Sequence, residues 1–342
     1  MSSTSDALAQ VETVGDEYQL KWFGEPVTKI QDKISEIACR IPLFERRPFS
    51  CGWPKEASIG RSSRSWKPDG ENKLLDLIVR MPLVEGEVET PVGAVSKHYS
   101  LVQHRDLFGN VKKALKDAGI SLDDLAVELM LTAYGSKLAL TFTFPEKYAF
   151  DPGDGQEMTL RLFCFNSVDA RSRLTLMLGW FRFVCENGLV LGTSQLNQRF
   201  IHNAYLELPD LMPLLTEAIA LAEKEKATFS KWLKQNIQVD QLVQWTDTVV
   251  SKKWGPLAAA RVFLICRTGY DGRFEDPFEK APPHSKRMKR SCRVPGVPAE
   301  TQNAFDVCQA LSWVVKERKD IQQQVESMRE LPELMEALLR KE

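Results

Sequence analysis

EMTLRLFCFNSVDARSRLTLMLGWFRFVCENGLVL, residues Glu157 to Leu191, decides the fold class. Two β-type runs, Thr159 to Phe165 and Leu174 to Cys185, flank the polar connector Asn166 to Arg173, and Glu186-Asn187-Gly188 supplies a turn into a third run, Leu189 to Leu191. The spacing predicts a three-stranded antiparallel meander. In the second run the even positions are Leu174, Leu176, Leu178, Trp180, Arg182 and Val184, and the odd ones include Met177, Phe181 and Phe183. Both faces are largely apolar, as in a central sheet covered on each side. Arg161 and Arg182 interrupt these runs. Each must reach solvent, an acidic partner or a ligand anion, because a charge buried without a partner is strongly destabilising.

Outward from the meander, Val127 to Ala133 and Leu138 to Phe144 surround the hairpin turn Tyr134-Gly135-Ser136-Lys137, and the alternation Leu138, Leu140, Phe142, Phe144 predicts one core face. Lys73 to Pro82 and Val92 to Val95 read as further strands, Ile30 to Ala38 as a short helix, and Leu107 to Ala118 as a helix stopped by Gly119. From Pro209 the pattern turns helical, with Asp210 as N-cap, then amphipathic segments at 239–253 and 257–266, a helix capped by Thr301, and a last helix around Pro332. The expected fold is α+β: a largely antiparallel sheet of five to seven strands packed by helices, with a helical C-terminal region. Three parts are expected: a loosely docked N-terminus over 1–20, a sheet domain over 21–208, and a helical region over 209–342 that carries an irregular basic loop at 268–298.

The chain's 342 residues, 43% of them hydrophobic, suffice for a sizeable core. Lys and Arg number 45 against 46 Asp and Glu, so any attraction to nucleic acid or membrane must come from a local patch. No apolar run reaches the roughly 18 residues of a membrane span, and MSSTSDALAQVET has neither the basic nor the apolar part of an export signal. The seven cysteines form no CxxC pair and sit mostly in apolar runs, as reduced thiols of a cytoplasmic protein do.

Two stretches concentrate positive charge. Arg46 to Pro68 interleaves Arg46, Arg47, Lys55, Arg61, Arg64 and Lys67 with Phe49, Trp53 and Trp66. Such a loop either follows single-stranded nucleic acid, cations on phosphates and rings on bases, or is a solvated loop with its tryptophans buried in the body. The stretch KAPPHSKRMKRSCRVPG carries Lys280, Lys286, Arg287, Lys289, Arg290 and Arg293 with no acid, a handle for phosphate or a plain solvated run.

Catalytic signatures are missing from the sequence: it has no GxxxxGK[ST], GxGxxG or GxSxG. His98, His104, His202 and His284 are scattered outside any metal spacing, so neither metal nor cofactor is implied. A metal-dependent nuclease would need three separated carboxylates to converge.

The segments Val95-Ser96-Lys97-His98-Tyr99-Ser100-Leu101-Val102-Gln103-His104, Phe165 to Ala170, Phe183 to Leu189 and Phe200-Ile201-His202-Asn203 together resemble the phage/plasmid-like proteins catalogued as domain of unknown function 932. The resemblance covers roughly residues 90 to 320. It implies a task on nucleic acid during the transfer or replication of a mobile element. The chain departs from the family's Asn-Ser-His-Asp-Gly connector with Val168 for the His and Ala170 for the Gly. That removes chemistry needing an imidazole there and leaves Asn166, Ser167 and Asp169 to hold turn geometry.

The expected function is binding of single-stranded nucleic acid, with annealing and self-association, and without nucleotide hydrolysis. Arg161, Arg171, Arg173 and Arg182 are the expected phosphate contacts on the sheet. Lys286, Arg287, Lys289, Arg290 and Arg293 form a second clamp, and Tyr99, Trp53 and Trp66 are the stacking rings. Two other readings stay open: a protein-binding inhibitor of a host defence complex, and the nuclease.

Overall fold

A computed structural model describes residues 20–50, 71–182, 189–190, 196–203, 206, 208, 210–274 and 280–340. In chain order the strands are β1 (Lys21–Trp22), β2 (Glu25–Asp32), β3 (Phe44–Ser50), β4 (Glu71–Arg80), β5 (Thr90–Ser96), β6 (Ala126–Thr132), β7 (Lys137–Thr143), β8 (Met158–Ser167), β9 (Leu174–Arg182), β10 (Leu189–Val190), β11 (Leu196–Phe200), β12 (Tyr270–Phe274) and β13 (Met288–Arg293). The helices are α1 (Ile34–Arg40), α2 (His104–Asp117), α3 (Leu211–Trp232), α4 (Val239–Trp245), α5 (Ser251–Trp254), α6 (Pro256–Thr268), α7 (Ala304–Lys316) and α8 (Ile321–Leu339), with a π-helical turn at Thr246–Val250 joining α4 to α5. The protein is α+β, as its sequence pattern predicts.

The main sheet runs β1-β2-β6-β7-β8-β9-β10, with β11 also pairing with β9, and every pairing is antiparallel. Both faces of its centre are covered. Leu160, Leu162, Leu176, Leu178 and Trp180 join a core shared with α2, α3 and the C-terminal helices. The opposite positions Phe163, Phe165, Met177 and Phe181 form a second cluster with Trp22, Ile321 and Val325. Burying one such side chain fully is worth about 1.5–3 kcal/mol, which seats the start of α8 and the β1 edge on this second face.

Helix boundaries follow their caps. The carboxylate of Asp210 accepts from the Met212 N–H at 3.2 Å, and that of Asp320 from the N–H groups of Gln322 and Gln323 at 2.9 and 3.4 Å. The cap of α7 is Asn303, accepting from Asp306 N–H at 3.0 Å, and not Thr301, whose hydroxyl donates to the Cys266 carbonyl at 2.7 Å. Gly269, at φ +70°, ends α6 in the left-handed conformation.

Three expectations are corrected. Ile30 to Asp32 belong to β2, and the helix begins at Ile34, because these residues pair with Val127 to Leu129 of β6. Strands β3, β4 and β5 form a separate three-stranded sheet. The described part of 268–298 is not irregular throughout: β12 and β13 pair as a two-stranded ribbon through Tyr270↔Arg293, Gly272↔Arg290, Arg273↔Lys289 and Phe274↔Met288. Cys39, Cys164, Cys266, Cys292 and Cys308 form no disulfide. Among the described residues no helix is long and apolar enough to cross a membrane.

The small sheet docks on the β8–β9 connector through Val168, fully buried against Phe44, Ile78, Val95 and Tyr99. The approach is close: a Cβ on Gly93 of β5 would lie 2.9 Å from the Cα of Asp169. Gly93→Ala should therefore lower stability by about 1–3 kcal/mol, the usual range for overpacking, as measured by urea unfolding. An unchanged midpoint would show that the two sheets are not in this contact.

Candidate functional site

The connector between β8 and β9 is held by its own polar residues. Ser167 Oγ donates to Asp169 Oδ1 at 2.5 Å and accepts from the Ser172 N–H at 3.3 Å, while the Arg171 N–H donates to Asp169 Oδ1 at 3.1 Å. This is the local side-chain-to-backbone chemistry that favours turns over strands. Ala170 has φ +62°, in the left-handed region where a glycine would sit without strain.

Beneath the connector lies a buried ion cluster. Lys137, fully buried, places Nζ 2.5 Å from Glu25 Oε1, 2.7 Å from Asp169 Oδ2 and 3.3 Å from Ser136 Oγ. Three acceptors thus meet the three protons of the ammonium group. Beside it, Asn166 Nδ2 donates to the Val102 carbonyl at 2.9 Å and to His104 Nδ1 at 3.0 Å, and His104 Nε2–H donates to the Gly135 carbonyl at 2.9 Å. The donor assignment follows from the amide having protons to give. Burial pushes the His104 imidazole down to about 4, so it is neutral.

Above the connector a cleft of about 340 Å³ opens. Arg171, Arg173 and Arg199 line it, with Phe23, Tyr99, Ala170, Ser172, Ile201, His202, Gln322 and Glu326 completing the wall. Phe23, at φ +50°, and Ala170 are two of the three described non-glycine residues with positive φ, and both line this cleft, so backbone strain gathers here. Arg171 lies 3.6 Å from Glu25 and 5.0 Å over the Phe23 ring, which is 37% exposed. Arg173 is exposed and makes no ion pair among the described residues. Arg199 is held below its ordinary range chiefly by burial, then by the neighbouring charges of Arg329 and Arg173, with Glu326 opposing. Glu326 itself accepts from Gln322 Nε2 at 2.9 Å. The result is a small basic cleft edged by exposed Phe23 and Ile201.

Of the residues singled out in the sequence, the cleft brings together Arg171, Arg173 and Tyr99. Arg182 is a correction. Fully buried, it pairs with Asp154, donates to the Gln156 carbonyl at 3.1 Å and lies 5.1 Å over the Phe305 ring, so a phosphate would have to displace a carboxylate inside the core. Tyr99 is also corrected as a stacking platform. It is 5% exposed, donates its hydroxyl to the Ser167 carbonyl at 2.8 Å and already stacks on His202 at 5.0 Å. Arg161 sits on the sheet 3.5 Å over the Phe181 ring, with burial pulling it down to about 10 against the pull of Glu128. Trp53 and Trp66 lie outside the described residues.

The basic segment near the C-terminus contributes nothing to the cleft and forms its own surface. Arg287, Lys289, Arg290 and Arg293 are exposed along the ribbon, Arg290 and Arg293 both 5.4 Å from the Tyr270 ring and Lys286 5.1 Å from Phe274. Arg273, opposite Lys289, extends it. Among the described residues no group of three His, Cys, Asp or Glu side chains gathers to hold a metal ion.

Sequence reasoning passed over Arg199, Arg329, Lys137 and Phe23. None lies in a charged run, and Lys137 reads as a turn residue. The available signal was Phe200-Ile201-His202-Asn203, which places Arg199 and His202 beside a segment shared with a family. Compared with known families, residues 91–268 match the one described as Domain of unknown function (DUF932). Neither a curated protein nor a solved structure matches the chain.

The neutral state of His104 is directly measurable. Its folded value lies below the unfolded value near 6.5, so its contribution to stability is present above that pH and is lost as pH falls toward 4. Asp306, pushed up to about 6 by burial, acts in the opposite sense below pH 6, which makes bulk unfolding a poor probe. Nitrogen-15 NMR of the imidazole should show His104 as the neutral Nε2–H form down to about pH 5. A midpoint near the ordinary value of about 6.5 would contradict the buried arrangement.

Proposed function

The chain belongs to the domain of unknown function 932 family, and from that premise we propose that it binds single-stranded nucleic acid. The observation that carries the reading is the gathering of Arg171, Arg173 and Arg199 around one cleft beside exposed Phe23 and Ile201. Guanidinium groups pair with phosphate in two-pronged hydrogen bonds, and apolar surface at the same rim takes the face of an unpaired base. Phosphate is the anion that makes sense of basic surface on a molecule whose net charge is −1. The β12–β13 ribbon, with Arg273, Arg287, Lys289, Arg290 and Arg293, is the second surface on which a strand tracks. An extended basic ribbon spaces its cations along the chain as a flexible backbone spaces its phosphates.

In this reading Arg171 is the positioning member, tied to Glu25 and Phe23, while Arg173 and Arg199 make the contacts. The protein acts as a binding and annealing factor of a mobile element in the cytoplasm, and copies of the chain share one strand.

A mobility shift with single-stranded oligonucleotides across a salt series tests the reading. Binding should weaken steeply as salt rises, because neutralised phosphates release counterions. The double substitution Arg173→Ala, Arg199→Ala should flatten the slope of log affinity against log salt by about 1.4, the value for two lost single-strand phosphate contacts. Absence of any shift even at low salt would end the proposal.

A further inference from the structure

The cleft offers more than positive charge. The imidazole of His202 is 8% exposed and lines it, with Nδ1 3.0 Å from the Ser100 carbonyl. A carbonyl can only accept, so Nδ1 carries the proton and Nε2 is left with a lone pair. That Nε2 is buried and has no hydrogen-bond partner among the described residues. Burial lowers the basicity of the ring, Asp169 opposing, so His202 stays neutral and its Nε2 remains an acceptor. Arg199 Nε, in the same cleft, is buried and likewise without a partner. Buried polar atoms are nearly always satisfied, and two unsatisfied nitrogens of opposite character in one cleft describe the ligand that would satisfy both. It must present an acceptor to Arg199 and a donor to His202.

A phosphodiester supplies the acceptor and has no O–H or N–H to give. Deoxyribose within a strand has no hydroxyl to give either. Base N–H groups, which DNA and RNA share, lie across the glycosidic bond from the phosphate, whereas ribose places a 2′-hydroxyl, both donor and acceptor, on the carbon next to the one that carries the 3′-phosphate, and that group distinguishes RNA from DNA. Resting on the nucleic-acid reading above, we propose that the cleft takes a ribonucleotide, with phosphate on Arg173 and Arg199 and the 2′-hydroxyl donating to His202 Nε2. His202 is then the residue that selects RNA over DNA. Tyr99, stacked on the ring at 5.0 Å with an interplanar angle of 12°, and Ser100 hold it in the accepting tautomer.

Oligonucleotides of one sequence test this, made as RNA, as DNA and as 2′-O-methyl RNA, all blocked at the 3′ end so that no terminal hydroxyl substitutes. One neutral hydrogen bond gained in place of one left unmade corresponds to about a fivefold difference in Kd. RNA should bind about fivefold or more tighter than DNA, and 2′-O-methyl RNA, which has the oxygen without the proton, should fall to the DNA level. His202→Phe keeps a ring for Tyr99 and removes the acceptor, and it should abolish the difference between RNA and DNA. Should that variant fail to fold, the 2′-O-methyl comparison on the unaltered protein still decides. Equal binding of RNA, DNA and 2′-O-methyl RNA would overturn the inference and leave nucleic-acid binding standing, whereas binding of none of the three would overturn both.

Discussion

The ammonium group of Lys137, buried beneath the β8–β9 connector, is the constraint on which the cleft depends. Moving a charge of that size out of water costs several kcal/mol even after relaxation, and only near-complete hydrogen bonding offsets it. Lys137 meets that condition with Glu25 at 2.5 Å, Asp169 at 2.7 Å and Ser136 at 3.3 Å. Each partner belongs to a different segment: Glu25 opens β2, Ser136 ends the β6–β7 turn, and Asp169 is the connector. The three segments are therefore held at one point. What extends outward from that point, Phe23, Ala170, Arg171 and Arg173, makes one wall of the cleft.

The same arrangement explains why positive charge is retained at the cleft. Lys137, Arg171, Glu25 and Asp169 balance one another within the cluster, so Arg171 is steered by Glu25 while Arg173 has no carboxylate opposite it among the described residues. Arg199, arriving from β11 through its pairing with Thr175 of β9, feels the charges of Arg329 and Arg173, with Glu326 opposing. Like charges this close lower one another's basicity, and at Arg199 the carboxylate of Glu326 opposes that effect. Buried Arg182, neutralised by Asp154, shows the contrasting case of a charge used to build the core.

Much of the fold was legible in the residues 157–191, because two long apolar runs with a polar connector admit few arrangements other than a covered antiparallel meander. The connector was legible in part: Ser167 and Asp169 hold turn geometry, as their short polar side chains suggest, whereas Asn166 lies in β8 and bonds Val102 and His104 instead. Arg182 marks the limit. Solvent, an acid and a ligand anion all satisfy a charged residue in an apolar strand, and the acid that does so, Asp154, lies 28 residues away. The ribbon was missed because Pro and Lys content hides the pairing of Tyr270–Phe274 with Met288–Arg293, which depends on cross-strand contacts rather than local propensity. The cleft could not be assembled from sequence because Phe23, Arg173, Arg199 and Glu326 come from segments that only the folded sheet brings together.

The central claim is that one buried ion cluster ties three segments into a cleft wall. A double-mutant cycle on Lys137→Met and Asp169→Asn, read by chemical unfolding, tests it most directly. Lys137→Met alone should cost about 3–5 kcal/mol, because it strands a buried carboxylate, and adding Asp169→Asn should recover a substantial part of that loss. Two losses that simply add, to within about 0.5 kcal/mol, would mean that the lysine and the aspartate do not act as one unit, and the account of the cleft would fail with them.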